Sequence, residues 1–397
     1  MDSFERQQAM QYSFTKININ APFPTTQCGH SCQIEKLSEF HDDLYARVFS
    51  FKDEKSWIIH FSFDLLAFDL KHRNMLEEYF RDYYQDERIK VITSATHTHY
   101  ANSVRDPEYV NYLFDLLCKE TVKMEYRELE DVTASYQHLH SNAIGRSRIS
   151  GYETNKETLC LIRFYAKEEN FLSLVYYNCH PTILQANVPY FSAEYPGYVL
   201  RKLEETYPET DFSFLQGAAG DISSRFVRDG QDYEALEKLG NNLYEDITSL
   251  YNEKAQCVPL QLTYKEVPIN YDHEFKPIDL SKIRGDLSER EMETIRLGQI
   301  EREKLEKTAN LIFGKLIEKA LITAWDTGCV KIIFFPNEIF SHYMNYIDRD
   351  KEMLVSYSNG YGPYVLPIDF KYITYEMFTD TLTVETKEKI IEILQTI

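Results

Sequence analysis

Two histidines, one residue apart, close a run of apolar and small residues, Lys90-Val-Ile-Thr-Ser-Ala-Thr-His-Thr-His99. Read as a strand, this run sends alternate side chains to opposite faces, so His97 and His99 point the same way. Imidazole is a common metal ligand and the base nearest neutral pH, so such a pair suits a metal or a proton-transfer site. The same spacing fits two histidines hydrogen-bonded in a surface loop, and the pair alone does not choose between them. Two other strand ends carry chemistry. The run Phe171–Tyr177 leads into Asn178-Cys-His-Pro-Thr182, which sets His180 at a terminus where Pro181 stops the pairing. Cys329-Val-Lys-Ile-Ile-Phe-Phe-Pro-Asn-Glu338 reads as a buried strand that stops in an acid. Two imidazoles and a carboxylate form a mixed nitrogen and oxygen set that zinc accepts. An isolated buried carboxylate is costly to keep ionised, so a cation would account for Glu338; hydrogen bonds from loop amides are the other reading.

Such residues work together only if a sheet brings their strand ends to one edge. Trp57–Asp64 reads as a strand, Leu70–Tyr84 as a helix and 90–96 as the next strand, a βαβ rhythm. Asp106 to about Leu129 reads as a second helix, with Asp106 as cap, Pro107 in its first turn and a stripe of Tyr109, Tyr112, Leu113, Leu116 and Leu117. Asp131–Leu139, Leu159–Ala166 and Phe171–Tyr177 read as strands, Ser192 to about Glu205 as a helix, and Asp211–Leu215 as a short buried strand. Gln216-Gly-Ala-Ala-Gly-Asp-Ile-Ser223 follows, small enough for a tight turn and close backbone approach to a ligand. A helix over Asp229–Tyr251 and a strand over Pro259–Val267 come next. Leu287–Trp325, dense in Glu and Lys at three- and four-residue spacings, reads as one or two exposed helices forming a cover over about residues 281–326. The tail carries two loops, Tyr357 to Tyr364 and Thr374 to Glu376, and a closing helix from about Thr386. The expected fold is α/β: a central mixed β-sheet flanked by helices in one domain over 1–397, with a metal site at strand ends.

A formal charge of −20 over 397 residues excludes a basic nucleic-acid-binding face and disfavours anionic lipid. No apolar run reaches membrane-spanning length, and no basic segment followed by an apolar stretch opens the chain, so a cytoplasmic protein is expected. Seven scattered cysteines fit reduced thiols. Cys28-Gly-His-Ser-Cys32 has half the spacing of a zinc knuckle but lacks a second half, and reads as loop. The absence of a Gly-x-Ser-x-Gly elbow argues against a serine hydrolase.

Five segments in order carry a resemblance. Thr96-His-Thr-His99, Asn178-Cys-His-Pro-Thr182, Gln216 to Ser223, Pro336-Asn-Glu338, and Ser358-Asn-Gly-Tyr-Gly-Pro-Tyr-Val365 followed by Tyr375-Glu376 resemble the ordered motifs of the neutral/alkaline non-lysosomal ceramidase family. The resemblance implies a zinc-dependent amidohydrolase acting on a lipid N-acyl compound of the sphingolipid type or a smaller N-acyl substrate. It implies one zinc ion per chain held by His97, His180, Glu338 and Tyr364, with Tyr361 three residues before the last. It makes His99 the proton-transfer residue, sets Arg146 and Tyr375 at the substrate carbonyl, and gives Ser223 a substrate contact. The sequence departs from the family at Ser224-Arg225, where Pro-Asn is usual, in the loop after His99, and in lacking a C-terminal β domain. A zinc-dependent esterase and a non-catalytic ligand-binding protein on the same fold are the alternatives.

Overall fold

The computed structural model describes residues 9–29, 35–152, 157–275, 278, 289–312, 317–372 and 374–397. Mixed sheets flanked by helices form the body, and there are several sheets rather than one. The first runs Ile89–Ala95, Trp57–Phe63, Tyr45–Lys52, Met10–Asn18, Arg127–Leu129. The second runs Asp211–Gln216, Glu169–Tyr177, Thr158–Ala166, Val132–His140, Cys257–Pro259. A third orders Thr263–Asp272, Ile317–Asp326, Lys331–Phe334, Glu352–Val355. Each has its parallel pair at one edge: Trp57–Phe63 with Ile89–Ala95, Glu169–Tyr177 with Asp211–Gln216, and Lys331–Phe334 with Glu352–Val355. The first two pairs are joined by helices, Leu70–Tyr84 and Glu194–Thr206, as parallel connections require.

The helix Leu70–Tyr84 begins where the Asp69 side chain accepts from His72 N, and it lowers Leu76 and Phe80 onto Phe61 and Val91. Glu194–Thr206 and Tyr233–Asn252 cover the second sheet through Val199, Leu203, Leu239 and Leu243. Between the sheets lies a core to which all three contribute: Phe49 and Phe51, Phe164 and Leu174, Trp325 and Phe334. Trp325 stacks on Phe164 at 5.9 Å and lies 5.8 Å from Phe51, contacts worth about 0.5–1.5 kcal/mol each beyond area burial.

Several expectations are corrected. The second helix is Pro107–Thr121, capped by Asp106, and Arg127–Leu129 is an edge strand. The helix after Asp229 starts at Tyr233, capped by Asp232, and Pro259–Val267 divides into Cys257–Pro259 and Thr263–Asp272. Of the expected cover, Glu289–Ile312 is helical, but Ile317–Asp326 pairs in ten-residue register with Thr263–Asp272. Residues 281–288 and 313–316, like His30 and Cys32 of the cysteine pair, lie outside the described residues. Tyr375–Thr379 is a short helix rather than a loop. Among the described residues no helix is long and apolar enough to cross a membrane.

One short segment sews the sheets together. Leaving the third sheet, Val355 O accepts from Phe335 N (2.7 Å), Ser356 N donates to Gln216 O of the second sheet (2.9 Å), and Tyr357 O accepts from Ala95 N of the first (3.1 Å). Asn359 N donates to Thr93 O (2.8 Å), its side-chain oxygen accepts from Thr93 N (2.9 Å), and its amide donates to Thr323 Oγ1 (2.9 Å). Tyr357 and Asn359 hold φ of 53° and 54°, left-handed values that a non-glycine residue keeps only when its surroundings demand it.

Candidate metal centre

The three parallel edges discharge their chain ends into one place. His97 follows Ile89–Ala95 in the left-handed region (φ 65°), and its fully buried ring lies flat on Tyr357, centroids 3.8 Å apart and planes 14° from parallel. His180 follows Glu169–Tyr177 and Glu338 follows Lys331–Phe334, both buried. Nitrogens of His97, His99 and His180 all lie within 4.8 Å of one another.

The donor atoms form a ladder. His99 Nε2 is 3.3 Å from His97 Nε2, which is 3.5 Å from Glu338 Oε2. That oxygen is 3.1 Å from His180 Nε2, which lies 3.5 Å from the Tyr364 hydroxyl. Ligand atoms about 2.0–2.1 Å from a tetrahedral zinc sit roughly 3.3–3.4 Å from each other, so the rungs have the span of such a shell's edges.

Hydrogen bonding behind the rings fixes what they present. His97 Nδ1 lies 2.8 Å from Leu66 O and His180 Nδ1 2.6 Å from Ala219 O. A carbonyl only accepts, so both Nδ1 atoms carry a proton, and in the neutral ring Nε2 is left with a lone pair for the centre. Burial, with the Arg148 charge adding to it, pushes His180 down to about 4, so the ring is neutral near pH 7. Burial would raise Glu338, but positive charge on a protonated His97, with hydrogen bonding to the two rings, outweighs it and holds the carboxyl well below its ordinary range. At His180 the carboxylate oxygen faces the lone pair of a neutral imidazole 3.1 Å away, acceptor against acceptor. A cation shared among them removes the conflict, so this donor set fits a bound metal.

The two tyrosines divide the work. Tyr361 donates its hydroxyl to Glu338 Oε1 at 2.6 Å, the oxygen turned away from the histidines. Tyr364 faces His180 and accepts from Arg148 Nη2 at 3.0 Å. Arg148 also donates to Gly220 O (2.7 Å) and pairs with Glu376 Oε1 (2.8 Å), an ion pair nearly withdrawn from solvent. Tyr375 meets the Tyr364 ring edge-on, centroids 6.3 Å apart.

The fold thus brings together His97, His99, His180, Glu338, Tyr364 and Tyr375. It does not bring in the Arg146 guanidinium. Arg146 is exposed in a two-residue strand paired with Ile222–Ser223, and its guanidinium makes no hydrogen bond or ion pair among the described residues; the guanidinium at the cluster belongs to Arg148, two residues on. Ser223 is buried beside the site, bridged to His180 through the backbone, and its hydroxyl accepts from Arg225 N. Sequence reasoning also missed Tyr357, the plate under His97, and gave Glu376 no role. Only the adjacency of Glu376 to Tyr375 could have flagged it.

No family model matches this sequence, and no curated protein matches it either. Solved structures do. The crystal structure of neutral ceramidase from Pseudomonas aeruginosa superimposes with a TM-score of 0.74 at 14% identity, covering 98% of this chain and 74% of that one. A ceramidase complexed with C2 gives 0.74 at 13%, with the same coverage. At such identity the likeness is one of fold, and it is the fold of the family whose five motifs the sequence resembles.

Proposed function

We propose that this chain hydrolyses an amide bond of an N-acylated compound at one zinc ion held by His97, His180, Glu338 and Tyr364. The observation that carries the reading is the ladder of donors 3.1–3.5 Å apart, in which the His180 lone pair faces an ionised carboxylate. When bound, zinc supplies Lewis acidity that makes water a nucleophile near neutral pH.

The chain's residues supply the remainder. His99 is only half-buried, unlike His97 and His180, and is the imidazole open to solvent and substrate. It takes the proton of the attacking water and delivers it to the departing amine, as amide cleavage requires. Arg148 and Tyr375 donate to the acyl oxygen as it becomes negative, and one such donor lowers the barrier by about 3 kcal/mol. The role that the motifs gave Arg146 passes to Arg148, because its charge lies against Tyr364. Glu376 holds that guanidinium, and Ser223 lines the approach. The solved structures of this fold are ceramidases, so a ceramide-like N-acyl lipid is the first substrate class and smaller N-acyl compounds the second.

The test couples metal analysis to turnover. Purified protein is expected to hold one zinc per chain and to release amine from a fluorogenic N-acyl substrate faster than from the matched ester. His97→Ala with His180→Ala is expected to abolish both zinc and turnover. Undiminished zinc in that double variant would end the proposal.

A further inference from the structure

Gln27–Cys28 forms a two-residue strand antiparallel to Ala101–Asn102, just beyond His99. This strap is tied on both sides. Ser103 N donates to Thr26 O (2.9 Å), the Asn102 amide donates to Thr25 Oγ1 (2.7 Å), and Gln27 Nε2 donates to Tyr190 O (2.5 Å).

At the end of the strap Gly29 lies against His99. Its φ is +130°, and a Cβ built there would fall 2.7 Å from His99 Cγ and 2.8 Å from both Cα and Cβ. No side chain fits that gap. A substituent at position 29 must push the strap off its ladder or push His99 away from its 3.3 Å approach to His97 Nε2. The ladder on Ala101–Asn102 holds the strap, so His99 is the part that gives.

We propose that Gly29 is a positioning residue for His99, its bare backbone serving as the wall that sets where the imidazole stands. This rests on the reading in which His99 moves the proton. Displacing a proton-transfer group by about 1 Å costs on the order of 10²-fold in rate. Zinc-loaded Gly29→Ala is expected to lose about that factor in kcat, with KM changed less than ~2-fold and zinc stoichiometry kept. In a His99→Ala background the same substitution is expected to change nothing further.

Gly151→Ala is the control for backbone strain. Gly151 also has positive φ (+74°), but a Cβ there would meet only Tyr372 Cε1, at 3.9 Å. It is expected to lower Tm without changing kcat. Histidine-selective 15N spectra of the metal-free proteins supply a readout independent of turnover: Gly29→Ala is expected to move the His99 ring signals and leave those of His180 in place. Unmoved His99 signals, or an equal loss of rate with and without the His99 imidazole, would overturn the proposal. Failure to cleave any N-acyl substrate would overturn the functional reading instead, and the ring signals would still decide the positioning.

Discussion

Replacing Glu338 by Gln should strengthen the metal-free protein and ruin the metal-loaded one. In the chelated wild type, Oε2 stands 3.1 Å from the lone pair of His180 Nε2 and 3.5 Å from His97 Nε2, while Oε1 accepts from Tyr361. Glutamine matches that pattern: its carbonyl keeps the Tyr361 bond and its amide donates to His180 Nε2. One hydrogen bond gained is worth about 1 kcal/mol, and relieving an unsatisfied buried group adds roughly 1–3, so Glu338→Gln should gain about 2–4 kcal/mol without metal. Zinc reverses the order, because at a thousandfold excess over Kd it adds about 4.1 kcal/mol to whichever protein binds it. The assay is thermal unfolding at pH 8, after chelation and again across a zinc titration. The curves should cross, the variant melting a few degrees higher when chelated and showing no response to zinc. A chelated variant that melts below the chelated wild type would mean that the carboxylate is content without a cation, and the argument for a metal would fall.

Other expectations are as direct. His99→Ala should keep zinc within analytical error and lose on the order of 10²–10⁴ in kcat, whereas Tyr364→Phe should lose zinc, read by elemental analysis beside a turnover assay. Burial holds His60 down to about 3 against an ordinary 6.5, so the unfolded chain takes up a proton in that window that the folded chain refuses. Stability is thus complete above pH 6.5 and drains as pH falls; His60→Phe, which keeps the stacking on Phe49 but gives up the Ser94 bond, should stand roughly 2 kcal/mol better relative to wild type at pH 5 than at pH 7 in denaturant titrations. Asn359→Ala removes both side-chain bonds to neighbouring strands and leaves alanine at φ 54°, which should cost about 3 kcal/mol by the same titration.

Much of this cluster was legible because its residues sit at the ends of strands with strong apolar signatures. His97, His180 and Glu338 each follow such a run, and the helix Leu70–Tyr84 matched its boundaries because Asp69 caps it and its stripe is regular. The failures have physical causes as well. Ile317–Asp326 contains Glu318, Lys319, Ala320 and Leu321, good helix formers that follow a genuine helix; the antiparallel partner that makes a strand of them lies some fifty residues back. Thr121 ends its helix with no Gly or Pro to announce the stop. Arg146 and Arg148 flank a single serine, and only the pairing of Arg146–Ser147 with Ile222–Ser223 decides which guanidinium reaches Tyr364. Local spacing could not carry that information.

The stitch from Val355 to Asn359 gives the protein a built-in test of its own completion. A chain in which the third sheet has not docked owns the clustered histidines but cannot bring them to the acid, so the donor set stays incomplete until the last long-range contacts close. Tight zinc uptake during refolding would therefore arrive late and all at once, reporting finished topology rather than the presence of secondary structure.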